Sequence, residues 1–344
     1  MLLVVVCHST RYLSPVGGVD FAPAIEHLAL ICDPVFFALS GFFAIRPLTT
    51  SYGRYLSHKV KTVVLPLVIY TTLAYLFFRL RGEADPGLAA YLSWSYQTMG
   101  AQYWFIPALI PYLMLAPLLH AFFSGLSKRQ ARTLVTLMLV LSAWGLVSTL
   151  AAEAFPGELA DGALGVANYL APAPRMLGSY LPYFCLGYFV RELPSLYDER
   201  ELRVIRNLGW AAWLLSGMLV LLGFEPFSPD YAWLLGTVAV FGLFGDIEIG
   251  EGVAARAISW VARRAYGIYL LQAGMVNFTF AAASSAGVLD AVAGSPAQAL
   301  PWLGCVALAF LASLAGAAVL DGTIVRLAQA GYARLEKRVA GKRA

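Results

Sequence analysis

Ten apolar stretches run through the chain, and its basic residues gather almost entirely on alternate connections between them. If the chain starts in the cytoplasm, 20 of its 24 Lys and Arg residues lie in or beside inward-facing segments; only Arg11, Arg79, Arg81 and Arg175 lie on the other side. Basic residues near span ends are retained on the cytoplasmic side, so this asymmetry supports both the spans and their order. The expected fold is all-α: a polytopic transmembrane helical bundle of about ten spans, with the N and C termini cytoplasmic.

The spans are expected over Met1 to Leu13, Ile25 to Ile45, Thr62 to Leu80, Tyr103 to Phe123 and Thr133 to Ala151. They continue over Met176 to Val190, Leu208 to Phe224, Tyr231 to Phe244, Ala265 to Ala283 and Leu300 to Leu320. The first is short. Its thirteen residues, at about 1.5 Å each, cover about 20 Å of a roughly 30 Å hydrocarbon layer, so the native start is expected upstream of Met1. Residues 1–325 form one transmembrane domain, and residues 326–344 a basic cytoplasmic amphipathic tail expected to rest on anionic lipid.

Composition narrows the class further. The chain is 60% hydrophobic and 13% charged, against roughly 45–50% and 25% in soluble domains. The net charge of +4 sits in the inward connections and gives no reason to expect nucleic acid. Cys7, Cys32, Cys185 and Cys305 lie in apolar stretches without metal-ligand spacing, so they read as free buried thiols and no metal is expected. The opening apolar run has neither a basic start nor a small-residue cleavage site, so no cleavable signal peptide is expected.

Polar side chains inside spans are costly and therefore informative. His8 lies in the outer half of the first span, Asp33 near mid-depth of the second, Gln102 at the mouth of the fourth and Gln272 in the ninth, with Asn277 a turn further out. The structural alternatives are ordinary ones. For His8 the alternative is a neutral imidazole bonded to a neighbouring carbonyl, and for the two glutamines it is interhelical glue. Asp33 needs a partner or a proton, and Pro34 beside it frees a carbonyl one turn earlier, where a kink is expected. Ser40, next to Gly41, fits close helix packing. Ahead of the third span, Arg54, His58, Lys59 and Lys61 form a topology signal that is also suited to clamping phosphates.

Several stretches resemble the acyltransferase type 3 family, integral-membrane enzymes that acylate cell-surface polysaccharides and related molecules. PVFFALSGFF (Pro34 to Phe43) is similar to the family's Pro-x-Phe-Phe-x-x-Ser-Gly pattern, and His8 in VVVCHS to its first-helix histidine. YWFIPALIPYLMLAPLL (Tyr103 to Leu119), YFCLGYFV (Tyr183 to Val190) and AYGIYLLQ (Ala265 to Gln272) resemble later landmarks in the family's order. The departures are specific. The family's arginine eleven positions before the histidine falls ahead of Met1. Gln102 and Gln272 stand where many members carry histidine. The basic pair before the third span maps best on Lys59 and Thr62, with Lys61 adjacent.

The resemblance implies transfer of an acyl group, acetyl most often, from cytoplasmic acyl-CoA to a hydroxyl on a glycan or lipid-linked sugar, in a bacterial inner membrane. Arg54, His58, Lys59 and Lys61 would hold the CoA phosphates, and His8 would act as general base or acyl relay. Gln102 and Gln272 would donate to the developing oxyanion; Asp33, from its depth alone, would orient the imidazole. Two other classes compete: a sugar-lipid transporter or flippase, although no repeat of the first five spans is evident in the last five, and a non-catalytic membrane module of the same fold.

Overall fold

The computed structural model describes the chain apart from residues 156, 171–179, 225–230, 246, 248–249 and 342–344. Arg175, Met176, Lys342 and Arg343 lie outside the described residues. The regular elements are helices: α1 Leu2–Ser9, α2 Ala22–Ala29, α3 Cys32–Ala44, α4 Tyr52–Lys59, α5 Leu65–Leu80 and α6 Leu88–Ala101. Then come α7 Phe105–Ser124, α8 Lys128–Ser142, α9 Trp144–Ala154, α10 Glu158–Leu170, α11 Leu181–Leu196 and α12 Glu199–Leu221. The last are α13 Tyr231–Gly245, α14 Val253–Ala262, α15 Ala265–Ser285, α16 Ala299–Leu320 and α17 Arg326–Gly341. Wide π turns over Val60–Val64 and Asp321–Val325 join α4 to α5 and α16 to α17 without a break.

Among the described residues, six helical runs are long and apolar enough to cross a membrane: Ala22–Ala44, Tyr52–Leu80, Phe105–Ser124, Lys128–Ala152, Glu199–Leu221 and Pro296–Arg338. They carry six of the ten expected spans. The other four fall on α1, α11, α13 and α15, which are helical but shorter or less apolar. The kink expected at Pro34 is present as a break between α2 and α3. The Leu30 carbonyl, which Pro34 cannot serve, accepts from the Asp33 N–H at 3.0 Å instead.

The chain divides into two compact units. The first holds Met1–Tyr12, Leu48–Met114 and Ile249–Ala344; the second holds Leu13–Pro47 and Leu115–Glu248.

In the second unit, glycines let backbones touch. A Cβ on Gly41 of α3 would sit 1.8 Å from the Phe184 carbonyl oxygen of α11, and one on Gly187 would sit 2.0 Å from that of Ala38. Helices in lipid associate through such small residues because burial of apolar surface gives little drive there. Gly209 of α12 meets Leu235 of α13 in the same way, its Cβ position 2.3 Å from that carbonyl oxygen. α2 is fastened to α12 by polar bonds: Trp213 Nε1 donates to the Leu28 carbonyl at 3.0 Å, and His27 Nε2 bonds Ser216 Oγ. Two capping boxes, Ser127 with Gln130 and Asp198 with Glu201, start α8 and α12 by satisfying backbone donors at each helix entrance.

In the first unit, α15 and α16 pack as a pair with Ile268, Leu314 and Ala317 at the core. α1 is tied to them by Trp302 Nε1, which donates to the Ser9 carbonyl at 3.0 Å, one of the acceptors a helix end leaves open. The start of α7 is tied to α15 twice, by Tyr103 Oη to the Leu270 carbonyl at 2.9 Å and Tyr269 Oη to the Gln102 carbonyl at 3.1 Å.

Candidate active site

His8 is mounted on a firm stub of helix. Ser9 Oγ donates to the Val6 carbonyl at 2.8 Å and Thr10 Oγ1 to that of Cys7 at 3.0 Å, while Trp302 holds Ser9. Carbonyls on both sides of the histidine are thereby satisfied. His8 itself is exposed, whereas its place inside the first span suggested burial. It lies one helical turn beyond Val4, whose side chain is buried, and well round the helix from exposed Leu3. His8 therefore opens to accessible space on the packed side of α1, not on the side that Leu3 presents. Arg11, three residues further out, is held by Asn277 Oδ1 and lies 5.0 Å from the centre of the Tyr12 ring.

The two glutamines part company. Gln102 is exposed and caps α6 through its backbone, its N–H reaching the Thr98 carbonyl at 2.9 Å. Gln272 is fully buried on α15, and neither Nε2 nor Oε1 has a protein partner. Interhelical glue is therefore not its role; Tyr103 and Tyr269 supply that bonding a turn away. Leaving such a group unsatisfied costs about 1–3 kcal/mol, and native proteins seldom carry that cost without a use for the group. Thr71 on α5 and Ser95 on α6 bury unpartnered hydroxyls in the same unit.

Asp33 lies in the second unit, in the first turn of α3, where it is half-buried and accepts from Cys32 Sγ at 3.5 Å. His8, Gln102, Gln272 and the basic cluster all belong to the first.

The basic cluster is built on α4 and the π turn that follows. Ser51 caps α4, its side chain accepting from the Arg54 N–H at 3.4 Å. Arg54 and His58 share one exposed face, being four residues apart. Lys59 is half-buried with its Nζ 5.2 Å from the centre of the Tyr55 ring, and Tyr55 Oη is fixed by the Leu113 carbonyl at 2.6 Å. Lys61, also half-buried, lies inside the π turn. The four groups follow one another along a single run of helix, with Lys59 held by a neighbouring ring.

One polar pair was not expected from the sequence. Buried Tyr70 on α5 donates through Oη to Asp321 Oδ1 at 2.8 Å, at the point where α16 enters its π turn. Gly267 makes room for it, since a Cβ there would lie 2.6 Å from the phenol oxygen and 2.9 Å from Asp321 Oδ2. Asp321 directly follows an apolar run, and nothing near it in sequence marks its bond to Tyr70. Tyr70→Phe is expected to lower stability by about 1.5–3 kcal/mol, the range for a hydrogen bond to a charged group. Thermal unfolding of the detergent-purified protein measures it, and an unchanged unfolding temperature would show the pair to be idle.

Residues 1–321 match the model of an acyltransferase domain. No curated protein and no solved structure matches the chain. The matched region runs from α1, which carries the mounted histidine, to the end of α16, and includes the basic turn and the buried glutamine, so that by this match the chain belongs to the acyltransferase type 3 family.

Proposed function

We propose that this membrane acyltransferase is an O-acyltransferase, moving an acyl group, acetyl first among candidates, from cytoplasmic acyl-CoA to a hydroxyl of a cell-surface glycan or lipid-linked sugar. It would do so in a bacterial inner membrane, with about ten spans and both termini in the cytoplasm. The observation that carries this is His8: a histidine fixed on a bonded helix end, yet open to accessible space on the packed side of that helix.

In the reaction, His8 removes the acceptor hydroxyl's proton as the oxygen attacks the thioester carbonyl. The tetrahedral oxyanion collapses by breaking the C–S bond, and the thiolate of CoA takes the proton back from the imidazolium. General-base help of this kind is worth about 10²–10⁴ in rate. Transient acylation of His8 is the other route to the same products. Lys59, Lys61, Arg54 and His58 bind the CoA phosphates, with Arg as planar fork and Lys as point charge. Gln272 has an unspent amide N–H for the developing oxyanion, a stabilisation typically worth about 10²–10³ per donor; exposed Gln102 is the second candidate donor.

Gln272→Leu separates function from packing. The substitution removes two unsatisfied polar atoms at similar volume, so the protein should gain about 1–3 kcal/mol in stability while acyl transfer drops. A loss of stability, or an unaltered rate, would show that the amide has another task. The reading as a whole is tested by mass spectrometry of host envelope glycans with and without the expressed chain. An acyl increment is expected; unchanged mass with altered sidedness of the glycan would identify a transporter instead.

A further inference from the structure

The family match ends at Asp321, but the helix does not. It passes through the π turn Asp321–Val325 into α17, whose Gln329 and Tyr332 are half-buried while Arg334, Lys337 and Arg338 are exposed. Gln329 Nε2 donates to the Lys61 carbonyl at 3.1 Å, and Tyr332 Oη bonds Ser57 Oγ at 3.1 Å. Both contacts fall on the segment that carries the basic cluster.

The first of these contacts falls on the π turn itself. A π turn holds one residue more than an α turn and is a frequent device at functional sites. In Val60–Val64 two carbonyls accept side chains from elsewhere: Lys61 from Gln329, and Val63 from Tyr266 Oη at 2.9 Å. These outside donors favour the wide turn over an ordinary helical one. If the extra residue were drawn back into the α register, residues on one side of it would rotate by about 100° relative to the other. Lys61 stands within that turn and Lys59 immediately before it, so their relative aim depends on what holds the turn open.

We infer that the tail helix α17, beyond the family's matched region, is a structural part of the donor site: Gln329 and Tyr332 are positioning residues that set Lys59 and Lys61 for the phosphates of acyl-CoA. This rests on the acyl-CoA reading above. It also gives the tail a task different from lipid anchoring, since the contacts lie on the side of α17 turned away from its exposed cations.

The test uses the full chain in detergent or nanodiscs, with binding of free coenzyme A by calorimetry and acyl-CoA KM and kcat measured in parallel. Gln329→Leu combined with Tyr332→Phe should weaken coenzyme A binding and raise KM together, by about 10-fold for two lost hydrogen bonds, with kcat within about twofold. Neutralising Arg334, Lys337 and Arg338 together should leave both constants within about twofold at 0.15 M salt, where surface charge is largely screened. If the double variant fails to fold, Gln329→Ala alone must raise KM at least about threefold. Unchanged binding in the hydrogen-bond variants, or loss of binding on neutralising the exposed cations alone, would overturn the positioning role while leaving the donor assignment standing. A wild-type protein that binds no coenzyme A would remove the donor reading itself, and this inference with it.

Discussion

His8→Ala is expected to lower acyl transfer by about 10²–10⁴, the range for losing a general base, with the acyl-CoA KM close to that of the wild type. The fold should survive, because the ring is exposed while buried Val4, Val5 and Ser9 pack α1 and Trp302 bonds its end; substitutions at such exposed positions usually stay within about 0.5 kcal/mol. Initial rates of acyl ester formation at saturating donor measure the effect, and unfolding temperatures exclude a structural cause. A variant retaining full rate would remove His8 from the chemistry even though the family assignment stands.

The second large effect is structural. Gly41→Ala places a methyl carbon where the Phe184 carbonyl oxygen lies 1.8 Å away, and the opposing group is helix backbone, not a side chain that can swing aside. α3 and α11 must separate, and the reciprocal contact of Gly187 with Ala38 is lost with them. Overpacking a well-filled site typically costs about 1–3 kcal/mol; with backbone on both sides we expect the top of that range or beyond, seen as loss of monodisperse protein and a large fall in unfolding temperature. Gly274→Ala is the control, since a Cβ at that helical glycine meets nothing within 4 Å. Equal tolerance of the two substitutions would contradict the close crossing.

Both predictions show how differently the parts could be read from sequence. Helices were legible because long apolar runs bounded by basic residues leave little choice in a bilayer, where backbone groups must bond within the segment. The break at Pro34 was legible for a local reason, a missing N–H. Gly41 beside Ser40 suggested close packing, but the backbone it meets, that of Phe184 far along the chain, could come only from coordinates.

The site was less legible, since its geometry depends on partners far apart in the chain. Nothing near Gln272 in sequence tells that its amide is buried without a protein partner, nor that Gln102, its fellow candidate, is exposed. The π turns carry no sequence mark; the first receives bonds from Tyr266 and Gln329, which are 203 and 268 residues from the carbonyls they serve. Asp33 was chosen for its depth, and depth does not report which groups a side chain meets. The tail reads as a lipid anchor from its basic amphipathic pattern, which does not report that Ala328, Gln329, Tyr332 and Ala333 are half-buried.

The most direct measurement follows a labelled acyl group. Everted membrane vesicles, which present their cytoplasmic face outward, are given acyl-CoA carrying a radiolabel in the acyl carbonyl, and alkali-labile ester is counted in the glycan fraction. Vesicles with the wild-type chain should acquire label and those with His8→Ala should not. Equal labelling in the two, or none in either while an envelope glycan in the living host still gains its acyl group, would contradict a His8-dependent transfer from cytoplasmic acyl-CoA.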